Sequence, residues 1–251
     1  MSWGRLFDDV PVLYDEVRPD YPAAVYDAIE AATGSLRGKR LLDLAAGPGT
    51  ATRQLVARGA RVVAVDPGAR LLGQLRSRSP GIPAVAAVAE HLPFADDSVD
   101  LVTCATAWHW FDVRQATREV RRVVRPGGHL ALWWANHRHG DGVEWEDAQS
   151  AVFRRWEVER GSRAPDHRGV GPWDVAAELV ERGLDVVVER VVEWSRQVSR
   201  ATHLQVLRTH SDNLALGERS EDLVAEIAAA LEPWPVVTER LWGPLVVARI
   251  T

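Results

Sequence analysis

The chain has 251 residues, of which 46% are hydrophobic and 26% charged, and this composition excludes disordered, collagenous and fibrous proteins. Its net charge of −5 argues against a dedicated nucleic-acid or membrane-surface binder, since such proteins carry excess basic residues. At about 150 residues per domain, the length allows one large domain or two small ones. We expect a small-molecule substrate, no nucleic-acid partner and no membrane partner, and the composition predicts no particular oligomeric state.

One cysteine, Cys104, cannot form an intramolecular disulfide, which is typical of a cytoplasmic protein. Acidic residues interrupt the N-terminal stretch where a signal peptide needs an apolar segment, and no run of about 18 apolar residues occurs. We therefore expect a cytoplasmic protein that is neither exported by that route nor membrane-spanning.

Short apolar segments alternate with helical ones through the first half, a pattern that predicts βαβ units and a parallel sheet. The predicted strands are Arg40–Leu44, 61–66, 82–88, 99–105 and 129–135. The predicted helices run from Thr50 to about Arg58, from after Gly68 to about Arg78, and from Asp112 to about Val124. This order indicates an α/β fold with a doubly wound sheet.

The second half loses that alternation. Residues 136–172 are too long for an ordinary connection, which favours a lid-like insertion, partly helical at about 143–158. The remaining predicted elements are helices at about 174–182, 200–209 and 219–231 and strands at about 184–194 and 243–250. We interpret residues 1–251 as a single domain that contains this insertion.

The stretch LLDLAAGPGTAT (41–52) leads from a strand through a glycine-rich loop into a helix. Gly47 and Gly49 have no Cβ, so a ligand can approach the backbone N–H groups of the loop. Asp66 ends the second strand, where an acidic residue accepts hydrogen bonds from ribose hydroxyls in doubly wound nucleoside-binding domains. The loop and Asp66 together predict a nucleoside ligand.

Asp43 lies just before the loop. A carboxylate there would repel a pyrophosphate but attract an ammonium group. S-adenosylmethionine carries an ammonium and a sulfonium, whereas NAD carries a pyrophosphate. Asp43 therefore favours S-adenosylmethionine as the cofactor.

The ordered motifs resemble the class I S-adenosylmethionine-dependent methyltransferases, in particular the small-molecule branch called type 11. The motifs are LLDLAAGPGT (41–50), VVAVDP (62–67), AEHLPF (89–94), SVDLVTCATAWHWFD (98–112) and EVRRVVRPGGHLAL (119–132). The resemblance implies a seven-stranded, mostly parallel sheet whose last strand is antiparallel. It also implies cofactor contacts from residues at Tyr14, Arg18, Asp43, Ala45, Gly47, Gly49, Asp66, Pro67, Ala89, Glu90 and Thr106.

Two positions depart from the family pattern. Ala45 stands where the first of three glycines is usual, and Val88 stands where an acidic residue often bonds the adenine amino group. A methyl group at Ala45 is small enough to tolerate. Val88 would remove one hydrogen bond, which leaves adenine held by backbone and apolar contacts.

The segment WHWFD (108–112) follows the fourth predicted strand, so it points towards the site of methyl transfer. It resembles an element of the subgroup that includes trans-aconitate methyltransferases. His109 is a candidate general base, since an imidazole accepts a proton near neutral pH, or it only lines the pocket. Trp108 and Trp110 either contact cofactor or substrate or pack in the core.

The N-terminal segment 1–22 resembles the opening of the same subgroup, which folds over the cofactor pocket. Within it, Arg18 binds a substrate carboxylate, binds the carboxylate of the cofactor, or pairs on the surface with Asp15 or Asp20. In the insertion, His137 and Trp145 are candidate substrate contacts.

Histidines spaced as His137 and His139, with His167 further on, lack a third ligand at convincing spacing, so we expect no metal site. The arginines along the helix predicted from Asp112 to about Val124 favour a solvated face over a nucleic-acid footprint.

The predicted function is methyl transfer from S-adenosylmethionine to a small organic acceptor, with oxygen, as carboxylate or hydroxyl, favoured over nitrogen and carbon. Two alternatives stay open. One is a nicotinamide-dependent oxidoreductase, and the other is an S-adenosylmethionine-binding protein without catalysis.

Overall fold

A computed structural model describes residues 7–138, 142–160 and 174–251. Its helices are α1 (Pro11–Val17), α2 (Ala23–Thr33), α3 (Thr50–Ala57), α4 (Ala69–Arg78), α5 (Val113–Val123), α6 (Glu144–Arg160), α7 (Val175–Glu181), α8 (Arg200–Leu207), α9 (Ser211–Leu214) and α10 (Arg219–Ala230). Its strands are β1 (Arg40–Leu44), β2 (Arg61–Val65), β3 (Ala84–Val85), β4 (Val99–Ala105), β5 (Val124–Trp133), β6 (Asn136–His137), β7 (Asp185–Ser199) and β8 (Val236–Arg249). None of the helices in these ranges combines the length and apolar character that a bilayer crossing requires.

The strands form one sheet in the order β3-β2-β1-β4-β5-β8-β6, and β7 pairs with β8 as well. Strands β1 to β5 are parallel, whereas β8 runs antiparallel to β5, β6 and β7. Parallel strands need covered faces, which explains why β1, β2 and β4 read as nearly continuous apolar runs. The α/β class and the antiparallel last strand predicted from the sequence are confirmed.

Alternate side chains of the strands enter two cores, one on each face of the sheet. Leu41 packs with Tyr26 and Ile29 of α2, while Leu42 packs with Val120 of α5. This division follows from the two-residue period of a strand. The doubly wound arrangement brings the carboxyl ends of β1, β2 and β4 to one edge, where the turns after them meet.

Four strand predictions differ from the structure in extent. The strand predicted over 129–135 begins earlier, because β5 runs from Val124 to Trp133. The third strand, predicted over 82–88, is only Ala84–Val85, because the chain leaves the sheet after two paired residues. Strands β7 and β8 extend well beyond the predicted 184–194 and 243–250, since they continue as a two-stranded ribbon past the rest of the sheet. Two-residue β6 is an eighth strand that the sequence did not predict.

The helical layer consists of α6, α8, α9 and α10, and it packs beside the ribbon of β7 and β8. Its core joins Trp145, Val152 and Trp156 of α6 to Leu223 and Ile227 of α10. These helices come from two separate parts of the chain, one after β5 and one between β7 and β8. The predicted insertion at 136–172 is therefore only one contributor to this layer, and residues 139–141 and 161–172 of it lie outside the described residues.

Strand β8 touches the backbone after β5 at Gly243. A Cβ built on Gly243 would lie 1.8 Å from the carbonyl oxygen of Trp134, and Trp134 N donates to Pro244 O at 3.2 Å. A side chain cannot fit against backbone at that distance. The glycine therefore fixes Trp134 at the point where the chain leaves the sheet.

We predict that Gly243→Ala lowers the free energy of unfolding by more than about 2 kcal/mol, since overpacking here moves backbone rather than a flexible side chain. Gly73→Ala is the matched control, because Gly73 is an exposed residue of α4 with open space around its Cβ position. The control should gain about 0.5–1 kcal/mol from helix propensity. Equal denaturant midpoints for the two variants would contradict the account of the Gly243 contact.

Candidate active site

A cavity of about 530 Å³ opens at the carboxyl ends of β1, β2 and β4. In open α/β sheets, ligands bind in this crevice. The cavity walls include Ala45 and Gly47 after β1, Asp66 and Pro67 after β2, and the turn after β4. Many predicted site residues therefore meet at one place; those in the cavity wall are Tyr14, Arg18, Ala45, Gly47, Asp66, Pro67, Thr106, His109, Trp110 and His137.

Asp66 joins two turns of the cavity wall. Its Oδ2 accepts from Gly47 N at 2.9 Å, and its Oδ1 accepts from Gly68 N at 2.7 Å. Burial raises the pKa of Asp66 to about 6, although the hydrogen bonds from Gly68 and Gly47 lower it. Each carboxylate oxygen keeps a lone pair beyond its backbone bond, so the group can accept hydrogen bonds from a diol in the cavity.

The loop after β1 has left-handed backbone at three positions. Gly47 has φ 56° and Gly49 φ 96°, values that glycine adopts without steric cost. Ala45 has φ 50°, where a Cβ is unfavourable. Alanine in place of glycine at position 45 therefore costs conformational energy of the backbone. This cost differs from obstruction of a ligand by the methyl group, which was the only effect considered from the sequence.

Asp43 lies beneath the loop rather than in the cavity wall. It is 1% exposed, and its two carboxylate oxygens accept from Thr52 Oγ1 at 2.6 Å and Thr103 Oγ1 at 2.8 Å. Burial raises the pKa of Asp43 to about 6, although the hydrogen bonds from the two hydroxyl groups lower it. The predicted direct contact with a ligand ammonium is therefore not made by this geometry. Asp43 instead ties β1 to α3 and β4.

His109 is oriented by an indole. Trp134 Nε1 donates to His109 Nδ1 at 3.1 Å. An indole N–H can only donate, so Nδ1 must accept, and the neutral imidazole carries its proton on Nε2. The structure therefore makes His109 a hydrogen-bond donor through Nε2, and this weakens the general-base alternative.

The N-terminal segment contributes Phe7, Tyr14 and Arg18 to the cavity wall. Arg18 Nη2 donates to Thr209 O at 2.6 Å, and its guanidinium lies 4.8 Å from the Tyr14 ring centroid. Asp15 pairs instead with Arg53 at 2.6 Å. The surface pairing of Arg18 with Asp15 considered above is therefore wrong, because Arg18 turns inward to the helical layer.

The helical layer supplies a wall that the sequence did not reveal. His210, Ser211 and Asp212 at the start of α9 line the cavity beside Asn136 and His137. Only the pairing of β6 with β8 and the docking of α8 against α1 bring these distant segments together. The local sequence signal for this wall was the polar SDN sequence (211–213) at the start of a helix. Such a sequence also occurs as an ordinary helix N-cap, so it does not by itself indicate a binding site.

Besides Asp43, five predicted site residues are not in the cavity wall. Trp108 and Trp145 are buried in separate hydrophobic cores, which for Trp108 is the core-packing alternative. Ala89 is buried in the core, and Glu90 Oε1 accepts from Asp112 N at 2.8 Å. Gly49 caps α3.

In the ranges that the structure describes, no three His, Cys, Asp or Glu side chains are grouped to hold a metal. His139 and His167 lie outside those ranges.

The sheet order, with parallel β1 to β5 and an antiparallel last strand, defines an α/β protein of the Rossmann-like class. Residues 42–132 match the family model of the methyltransferase domain. A structure from Anaeromyxobacter dehalogenans, described as a proposed type II methyltransferase, superposes with a TM-score of 0.71. It is 25% identical, and the match covers 92% of this chain and 97% of that one.

Among curated proteins, an uncharacterised methyltransferase of Mycobacterium tuberculosis H37Rv is 46% identical over 121 residues, 48% of each chain. A demethylmenaquinone methyltransferase of Renibacterium salmoninarum is 33% identical over 146 residues, 52% of this chain and 60% of its own. The chain spans about half the length of the curated relatives it matches. Residues 42–132 are therefore similar to the methyltransferase domain, and both of these curated relatives are named as methyltransferases.

We predict that long-range ¹H–¹⁵N spectra will show the His109 ring protonated on Nε2 and unprotonated on Nδ1 near neutral pH, because the Trp134 indole occupies Nδ1. Trp134→Phe should abolish this preference by removing the donor. Trp156→Phe is the matched control, since the Trp156 indole donates to Glu226 instead, at 2.7 Å. A His109 ring protonated on Nδ1 in the unmodified protein would refute the assignment.

Proposed function

We propose that the protein transfers a methyl group from S-adenosylmethionine to a small organic acceptor, with an acceptor oxygen, as carboxylate or hydroxyl, favoured over nitrogen or carbon. The observation that carries the proposal is the Asp66 carboxylate, held by Gly47 and Gly68 in the wall of a cavity within a methyltransferase-family core. The oxygen preference rests on the sequence after β4, CATAWHWF, which lacks the Asn/Asp-Pro-Pro-aromatic run expected for an exocyclic amine.

The residues present fit the cofactor. Asp66 would accept hydrogen bonds from the two ribose hydroxyls, and Gly47 and Ala45 leave room for the backbone to approach it. Arg18 would hold the carboxylate of its methionine part. Asp43 would act through the loop, by fixing β1 to α3, rather than by touching the ligand.

The cofactor supplies a methyl group on a positively charged sulfur, and its transfer is an in-line displacement that depends on alignment and exclusion of water. Trp110 and Phe111 line the cavity and would exclude water from the reacting atoms. The His109 Nε2–H would orient an acceptor oxygen by donating to it.

Residues 1–22 and 136–172 are proposed to cover the pocket as a lid, within a single domain. Phe7, Tyr14, Arg18 and His137 in the cavity wall support the proposal.

The similarities described above are to methyltransferases and so favour this function over a nicotinamide-dependent oxidoreductase. A cofactor-binding protein without methyl transfer is the second candidate, because the [4+2]-cyclase SpnF shares the fold with a TM-score of 0.59 at 17% identity. Formation of S-adenosylhomocysteine from S-adenosylmethionine with any acceptor in a panel of small carboxylates and phenols distinguishes the two. We expect turnover.

We predict that Asp66→Ala weakens S-adenosylhomocysteine binding by about 1.5–3 kcal/mol at pH 7, since it removes charge-assisted hydrogen bonds. Burial raises the pKa of Asp66 to about 6, so the carboxylate of the unmodified protein loses its charge as pH falls from 7 to 5. Its affinity should therefore fall over that range, whereas that of Asp66→Ala should change less.

Titration calorimetry at several pH values measures both effects. Asp96→Ala, which removes an exposed carboxylate, is the control and should bind as the unmodified protein does. An affinity for Asp66→Ala within twofold of the unmodified protein would exclude Asp66 as the ribose ligand.

We predict that His109→Gln keeps kcat within about tenfold of the unmodified protein, because a glutamine amide can accept from Trp134 and still donate to an acceptor. His109→Leu should lose more activity, since it provides neither group. A general base would instead show a loss of about 10²–10⁴ in both variants. Steady-state kinetics on the first acceptor that supports turnover decide between these outcomes.

A further inference from the structure

One wall of the cavity has no place in cofactor binding as proposed above. Asn136 and His137 come from β6, and His210 comes from the turn between α8 and α9. The His137 and His210 rings lie with centroids 5.3 Å apart. The match to the methyltransferase family model ends at residue 132, so this wall lies in a part of the chain that the match does not reach.

A buried polar network lies behind His137. The His203 ring centroid is 6.4 Å from that of His137, and His203 Nδ1 is 2.7 Å from Glu239 Oε1. His203 Nε2 is 2.6 Å from Gln149 Oε1. His203 therefore links Glu239 of β8 to Gln149 of α6 behind the cavity wall.

Glu239 is the carboxylate of this network. It is fully buried and also accepts from Arg196 Nε at 2.6 Å. Burial raises the pKa of Glu239, but the His203 hydrogen bond and the charges of His137 and Arg196 lower it further, to about 2. The Arg196 guanidinium and the His203 ring therefore share one ionised carboxylate. A buried charged network is expensive to desolvate, which makes its position directly behind a cavity wall informative.

The remaining groups of the wall favour an anion over a cation. Arg18 and Asp212 line the cavity with opposite charges, and Arg18 is assigned above to the cofactor, so it is the Asn136 amide that favours an anion. The side-chain amide nitrogen of Asn136 is buried without a hydrogen-bond partner among the described residues. Buried polar groups in native proteins are almost always paired, so this amide is suited to a ligand atom.

The adjoining walls are aromatic. Phe7, Trp110 and Phe111 line the same cavity, and the Phe7 and Trp110 rings pack edge to face with centroids 6.2 Å apart. Flat apolar surfaces of this kind suit a planar molecule. The cavity thus joins an aromatic slot to a polar wall that holds an amide N–H group with no partner in the described part of the chain.

We propose that Asn136, His137 and His210 form an acceptor-binding subsite for the carboxylate of a planar acceptor whose apolar body packs against Trp110 and Phe111. The inference rests on the proposed function, since it describes the acceptor of the same reaction. Asn136 donates to one carboxylate oxygen, and the His137 and His210 rings flank the carboxylate.

The probes are benzoate and benzamide, which share a planar ring but differ in charge. Their dissociation constants are measured by titration calorimetry, with and without saturating S-adenosylhomocysteine. We expect benzoate to bind at least tenfold more tightly than benzamide. Asn136→Asp should weaken benzoate at least tenfold and leave benzamide within threefold, because it replaces an amide by a carboxylate of the same shape. Asn136→Leu should weaken benzoate binding without adding a charge. It replaces Asn136→Asp as the test if the aspartate variant fails to fold.

His210→Asn should also weaken benzoate, and His129→Asn is its control, since His129 lies on β5 outside the cavity wall and should bind both probes unchanged. Equal affinities for benzoate and benzamide, no benzoate binding, or unchanged benzoate affinity in the folded Asn136 variants would overturn the subsite. Benzoate selectivity without any binding of S-adenosylhomocysteine would contradict the proposed function and leave the subsite supported.

Discussion

The site depends on the carboxylate of Asp66 and the two backbone N–H groups that it accepts. Gly47 N belongs to the turn after β1, and Gly68 N belongs to the turn after β2, so one side chain holds two turns in register. Without it, the two N–H groups would lose their acceptor in a buried place, which is costly. The same carboxylate faces the cavity, and the group that orders the loops is therefore also the group offered to a ligand.

A second set of contacts extends this order to the other side of the cavity. Gly243 lets β8 approach Trp134, and Trp134 in turn orients His109. Arg18 links the N-terminal segment to the helical layer through Thr209 O. The cavity is consequently assembled from four separate parts of the chain, and its polar groups are set by backbone contacts rather than by local sequence alone.

The sequence predicted the half of the site that is local. Gly47, Gly49 and Asp66 each follow a short apolar strand. The strands and the glycines after them form a pattern of about thirty residues, typical of a βαβ unit, which the sequence alone shows. The sequence predicted that Asp43 contacts the ligand, because it lies near the end of β1. Side chains of a strand alternate between its two faces, and the Asp43 side chain points to the face where Thr52 and Thr103 lie. Trp108 and Trp145 were misplaced because a tryptophan near a site has the same sequence signal whether it packs in a core or against a ligand.

His137 was predicted as a substrate contact, but the sequence did not reveal its position beside Asn136 and His210. His137 and His210 are separated by most of the second half of the chain, and their proximity depends on the length of the β7–β8 ribbon. The sequence did not predict the length of this ribbon, because its residues do not alternate regularly between apolar and polar. Exposed charged residues such as Glu189 and Arg190 interrupt the pattern. The acceptor side of the cavity is therefore a tertiary property.

The most direct test of this account is a crystal structure of the protein with S-adenosylhomocysteine. The account predicts both ribose hydroxyls within about 2.5–3.0 Å of the Asp66 carboxylate oxygens, with the Gly47 and Gly68 hydrogen bonds retained. It also predicts the sulfur facing the side of the cavity lined by His109 and Trp110. Density for the nucleoside elsewhere, or a ribose outside hydrogen-bonding distance of Asp66, would contradict it.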